Sequence, residues 1–112
     1  MAYDVGLAER IRELINGEHL TTEKKMFGGL GFMINGNMAV AASNSGGLLV
    51  RVDPDESDAL VGSTPAELMV MGGRSMQGWL QVGSEHLAGD AELEIWVRRG
   101  AAYAAGLPPK AT

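Results

Sequence analysis

Residues 24–43, KKMFGGLGFMINGNMAVAAS, decide the fold: they read as two strands closed into a β-hairpin by Asn35-Gly36. A two-residue type I′ turn needs positive φ at both central positions, and Asn followed by Gly tolerates this best. Pairing outward from that turn sets Met33 against Met38 and Gly31 against Val40 on one face. Phe32 with Ala39 and Leu30 with Ala41 then fall on the other. Both faces are apolar, whereas a half-wet sheet alternates apolar with polar, so each face of this hairpin calls for cover. Gly28, Gly29 and Gly31 interrupt the first strand, which begins near Lys24, and predict a bulge there.

Downstream, Asn44-Ser45-Gly46-Gly47 turns into a third strand over 48–52. Asp53, Pro54 and Glu56 are an N-cap, a first-turn proline and a first-turn acid, and predict a short helix to about Val61, stopped by Gly62. Residues 67–71, bounded by Thr64-Pro65 and Gly72-Gly73, read as a strand paired through a turn at 72–75 with a strand over 76–82, where apolar and polar residues alternate. Upstream, Leu7, Ala8, Ile11, Leu14 and Ile15 give residues 4–16 a helical stripe, capped by Asp4 and ended at Asn16-Gly17; residues 18–23 read as a linker. The last helix starts at an Asp90 cap and buries Leu93, Trp96, Val97, Gly100 and Ala104. It ends at Gly106 in a Schellman-type contact with Leu107, before Pro108 and Pro109. The expectation is one α+β domain over residues 1–112, with an antiparallel sheet of about five strands and three helices in the order α-β-β-β-α-β-β-α.

The totals narrow the function. A chain of 112 residues, 46% hydrophobic and 21% charged, is the size and composition of one folded domain. Nine Lys and Arg against fourteen Asp and Glu leave a net charge of −5, which disfavours nucleic acid as a partner. No Cys is present, so thiolate catalysis, disulfides and Cys-based metal sites are excluded. The N-terminus carries no basic leader or apolar core of a signal peptide, and no run of 18 apolar residues occurs; the expectation is a cytoplasmic protein without a membrane span.

Chemistry-bearing patterns are few. The Gly28–Gly31 stretch fails the Gly-x-Gly-x-x-Gly spacing at Ile34 and precedes a strand, not a helix N-terminus that could hold phosphate. Asp53, Asp55, Ser57 and Asp58 suggest a calcium loop, but Asp58 stands where glycine is required and Thr64 where glutamate is. His19 and His86 have no second ligand at metal spacing, and Ser75 or Ser84 with His86 lacks a nucleophile elbow. No catalytic residue, metal site or cofactor is therefore assigned. Gly72, Gly73, Arg74 and Ser75 are the ligand candidate, since successive amides beside a guanidinium can form an anion nest; a plain hairpin turn is the competing reading. Arg51, Arg74, Arg98 and Arg99 would make a basic patch only if gathered in space, and Arg98 already has Glu94 four residues before it. Five of the seven Met residues, Met33, Met38, Met69, Met71 and Met76, fall on predicted strands, as core filler or as an adaptable contact surface.

Met-Phe-Gly-Gly at 26–29, Gly-Gly-Arg-x-Met-x-Gly-Trp at 72–79 and the Trp-Val-x-Arg helix from Trp96, in that order, resemble a free-standing TfoX N-terminal domain, and the likeness covers residues 24–110. That resemblance implies a fold like that of secretion chaperones, commonly dimeric, and offers no catalytic residues to carry over. Full-length members of the family regulate natural competence through a second, C-terminal domain, which these residues do not include. The function expected is a non-enzymatic homodimeric protein-interaction module, regulatory in kind, with Met33, Met38 and Val40 on the dimer face and another protein as further partner. The alternative is a small-ligand or enzyme site on the Gly72–Ser75 loop with Arg74.

Overall fold

The computed structural model describes residues 3–15, 21–26, 28–44, 46–71 and 73–108. Helix α1 (Val5–Ile15) is capped by Asp4, whose Oδ1 accepts from the Leu7 amide at 3.1 Å. It buries Leu7, Ala8, Ile11 and Ile15, with Leu14 half-buried against the same core. The proposed stop at Asn16-Gly17 lies outside the described residues. Strands β1 (Thr21–Met26), β2 (Gly29–Ile34), β3 (Asn37–Ala42) and β4 (Leu48–Arg51) follow as an antiparallel meander. A 3-10 turn (Pro54–Glu56) leads into α2 (Ser57–Ser63); β5 (Glu67–Met71) and β6 (Arg74–Val82) form a hairpin, and α3 (Asp90–Ala105) closes the fold. The sheet order is β1-β2-β3-β4-β6-β5.

The class and order of elements are those expected, with one more strand. Residues 21–23, read as linker, begin β1, and Gly28, read as part of a bulge, stands in a reverse turn that pairs Met26 with Gly29. The stretch 24–34 is therefore two strands rather than one interrupted strand. The Asn35-Gly36 turn is as expected, with φ of 53° and 82°. The register beyond it is not. Met33 faces Met38, but the next pairs are Phe32 with Val40, Gly31 with Ala41 and Leu30 with Ala42, so the bulge sits on β3 at Ala39. One inserted residue exchanges the two faces for the rest of the strand.

Val40 thus joins Leu30, Phe32, Ile34, Ala42, Leu48, Val50, Val52, Leu80 and Val82 on the buried side. Helix α3 lies across β2, β3 and β4 on this side, and α1 packs against α3 and β3. Helix α2 adds Leu60 and Val61 to the same core. The α3 stripe of Leu93, Trp96, Val97, Gly100 and Ala104 is buried as expected, together with Ala101. At Gly100 the helix backbone comes so close to β3 that a Cβ would collide with the Ala39 carbonyl oxygen and the Val40 side chain.

Local ends differ in detail. Asp53 caps the 3-10 turn, its Oδ1 accepting from the Asp55 amide at 2.9 Å. Helix α2 runs through Gly62 to Ser63, because Thr64, not the glycine, ends it: its Oγ1 donates to the Leu60 carbonyl at 2.6 Å and accepts from the Ala66 amide at 3.2 Å. Gly89 holds the N-cap of α3 and Asp90 its first turn, where the carboxylate accepts from Arg10 Nη2 of α1 at 3.1 Å. Gly106 stays right-handed at φ −81°, so the Schellman geometry is not made. At the far edge, Glu23 of β1 accepts from Arg12 Nη2 of α1 at 2.8 Å. That guanidinium, through its hydrogen bond, holds the Glu23 carboxyl below its usual value.

Three outcomes follow. Gly36→Val lowers stability by about 1 kcal/mol or more, read as a shifted urea midpoint, because valine resists positive φ. Gly100→Val costs roughly 2 kcal/mol, since the neighbour it meets is backbone that cannot swing away. The Glu23–Arg12 pair contributes above the ordinary carboxylate range and is lost as pH falls through the lowered folded value. Glu23→Gln should therefore flatten the acid limb of a thermal-stability profile, and an unchanged limb would count against the pair.

Candidate interaction face

The sheet has one covered face and one open face, and alternation decides which residue lies on which. Leu30, Phe32, Val40, Leu48, Val50, Leu80 and Val82 point into the core, so Gly31, Met33, Ala41, Leu49, Trp79 and Gln81 stand on the opposite face, as does the backbone position of Arg51, whose guanidinium at the end of β4 reaches back to Tyr103 of α3. Ala41 is 3% exposed yet stands outside the core cluster. Met33, Met38, Leu49 and Trp79 are half-buried and likewise outside that cluster. The open face is therefore apolar in its middle without a helix over it among the described residues.

Arg51 organises one end. It faces Trp79 across the β4–β6 ladder, with its guanidinium carbon 5.1 Å from the Trp79 ring centroid and 5.9 Å from that of Tyr103 on α3. Such stacking satisfies the cation without an acid partner and keeps a long side chain in one orientation. Sequence reading singled out Arg51 only as a patch member; the signal available was Trp79 on an alternating strand, but its pairing with Arg51 requires the β4–β6 ladder.

Of the residues expected on a dimer face, Met33 and Met38 lie on the open side. Val40 does not: it is 0% exposed beneath α3, a correction that follows from the bulge at Ala39. In the ligand candidate, Gly72 lies outside the described residues and Gly73 sits in the β5–β6 turn at φ 79°. Arg74 and Ser75 are already in the ladder, opposite Met71 and Val70, and both are exposed. Of the four arginines, Arg98 and Arg99 line one groove together with Tyr103, the ring that Arg51 also approaches. Arg74 is at the hairpin tip, Arg51 is under the rings, and Arg98 donates to Glu94 at 2.6 Å. The groove is shallow, about 540 Å³, and also takes in Asp53, Glu56 and Ile95, which is 60% exposed.

The remaining polar candidates hold up structure. Ser57, fully buried, accepts from the Gly78 amide at 2.7 Å and ties α2 to β6. His19 lies outside the described residues. His86 is exposed in a 3-10 turn (Ser84–His86), 3.7 Å from Glu85, beside a polar groove of about 290 Å³ that also takes in Ser43, Glu67 and Gln81. Ser75 and Ser84 are separated by the length of β6. Among the described residues no three His, Asp or Glu side chains converge as a metal site would require, and no helix is long and apolar enough to cross a membrane.

No curated protein and no solved structure matches the chain. The model of one family, the TfoX N-terminal domain, matches residues 13–104, from the last turn of α1 to the end of α3 and so across the whole sheet with both of its faces. A match over that span of a 112-residue chain places this protein in the TfoX N-terminal domain family.

Proposed function

We propose that the protein is a non-enzymatic interaction module that works as a homodimer, with the open face of its sheet buried between two copies. The observation that carries this reading is the one-sided core: Met33, Met38, Leu49 and Trp79 stand half-buried on a face with no helix over it among the described residues, outside the cluster that holds the fold together. The apolar middle of that face, from Met33 on β2 to Trp79 on β6, spans four neighbouring strands, about 14 Å, and apolar surface of this kind is what soluble monomers usually keep covered. A face matched to itself by a two-fold axis is the commonest way to cover such a surface. Methionine suits the purpose, because its unbranched thioether adapts to an opposing surface. A regulatory role through a further protein partner accords with the family, and such a partner would meet the dimer on its helical side or at its exposed edges. The alternative, a ligand site on Gly73, Arg74 and Ser75, has less behind it, since these residues form an exposed hairpin tip.

Leu49→Glu tests the reading. It sets a charge in the middle of the open face and outside the core, so the variant keeps its circular dichroism spectrum and sediments as a monomer where the wild type sediments as a dimer at micromolar concentration. A wild-type chain that is monomeric under those conditions removes the proposal.

A further inference from the structure

The open face has a direction. Strand register lines up one row of positions from edge to edge: Lys24 on β1, Gly31 on β2, Ala41 on β3, Leu49 on β4, Gln81 on β6 and Glu67 on β5. Neighbours in sequence confirm the side on which the two ends lie. Glu23, next to Lys24, bonds to Arg12 on the helix side, and Leu68, next to Glu67, packs on the core. The row is thus cationic at one edge, apolar in the middle and anionic at the other edge. Lys24 and Glu67 are both exposed, and neither has an ion-pair partner among the described residues. Five strand spacings, about 24 Å, keep them from meeting within one chain.

Two copies of such a face can be stacked by a two-fold axis in two ways. An axis parallel to the row sets Lys24 over Lys24 and Glu67 over Glu67, which repels at both edges. An axis parallel to the strands reverses the row, so that each Lys24 faces the partner's Glu67 and each Ala41 faces the partner's Leu49, small against large. The adjacent row, Met33, Met38, Arg51 and Trp79, is reversed with it, and the Met33 thioether then faces the partner's Trp79 ring, a favourable sulfur–aromatic contact. Sheets stacked at about 10 Å and −30° diverge toward their edges, and long Lys and Glu side chains are the kind that can span the wider gap there.

We infer that a second copy of this chain docks by the reversed stacking, with two symmetry-related Lys24–Glu67 pairs closing its edges. The inference rests on the homodimer reading above and adds its geometry. Equilibrium sedimentation of four proteins tests it. Lys24→Glu and Glu67→Lys each turn two attractive contacts per dimer into repulsive ones, and each raises the dimer dissociation constant about tenfold at low salt. The doubly exchanged chain, Lys24→Glu with Glu67→Lys, returns to the wild-type value, and an equimolar mixture of the two single variants forms a heterodimer tighter than either homodimer. Both sites are exposed, so folding is retained. Single variants that dimerise as tightly as the wild type overturn the reversed stacking and leave the homodimer standing, as does a double exchange that stays as weak as the singles. A monomeric wild type overturns both.

Discussion

Helix α3 can lie across the sheet only because Gly100 lets its backbone reach β3 where the Ala39 bulge turns a carbonyl toward it. The two features depend on each other. The bulge moves Val40 and Ala42 to the helix side, where they meet Trp96, Val97, Ala101 and Ala104 of the α3 stripe in one core. Without the inserted residue, Ala39 and Ala41 would face α3 instead, two methyl groups where a valine now fills space, and Val40 would be turned out beside Met38.

That contact also determines what remains open. Among the described residues, three helices of 11, 7 and 16 residues reach one side of a six-stranded sheet, and the largest fully buried side chains gather there. The other side is filled by Gly31 and Ala41 in its middle, with Met33, Met38, Leu49 and Trp79 around them. Arg51 lies under Trp79 and Tyr103, its charge settled by rings rather than by an acid that would bring a second charge onto the face.

The two edge strands are unlike in chemistry. Strand β1, TTEKKM, carries charges along its length, a common protection against edge-to-edge pairing. Strand β5, ELMVM, is protected less, with Val70 58% exposed and Glu67 as its one charge. Charges at the two edges therefore differ in sign on the open side, and this asymmetry gives the face its orientation.

Much of the architecture was legible in the residues themselves. Asp4, Asn35-Gly36, Asp53-Pro54 and the α3 stripe act within a few residues of their own position, through side-chain caps, positive φ and helical period, so local chemistry is enough to locate them. The family markers act the same way, as strings of residues. What sequence could not decide was every feature that depends on a neighbour distant in the chain. A bulge at Ala39 leaves one residue of the ladder unpaired and has no local sequence signal, and it is α3, some sixty residues later, that makes the shifted register the better packed one. The reverse turn at Gly28 and the extra strand β1 likewise depend on β2 being present to pair with, and Glu23 on Arg12 being near. The face therefore passed from Met33, Met38 and Val40 to Met33, Met38, Leu49 and Trp79. A period of two tells which residues share a side, but only the helix packed on the sheet decides which side is wet.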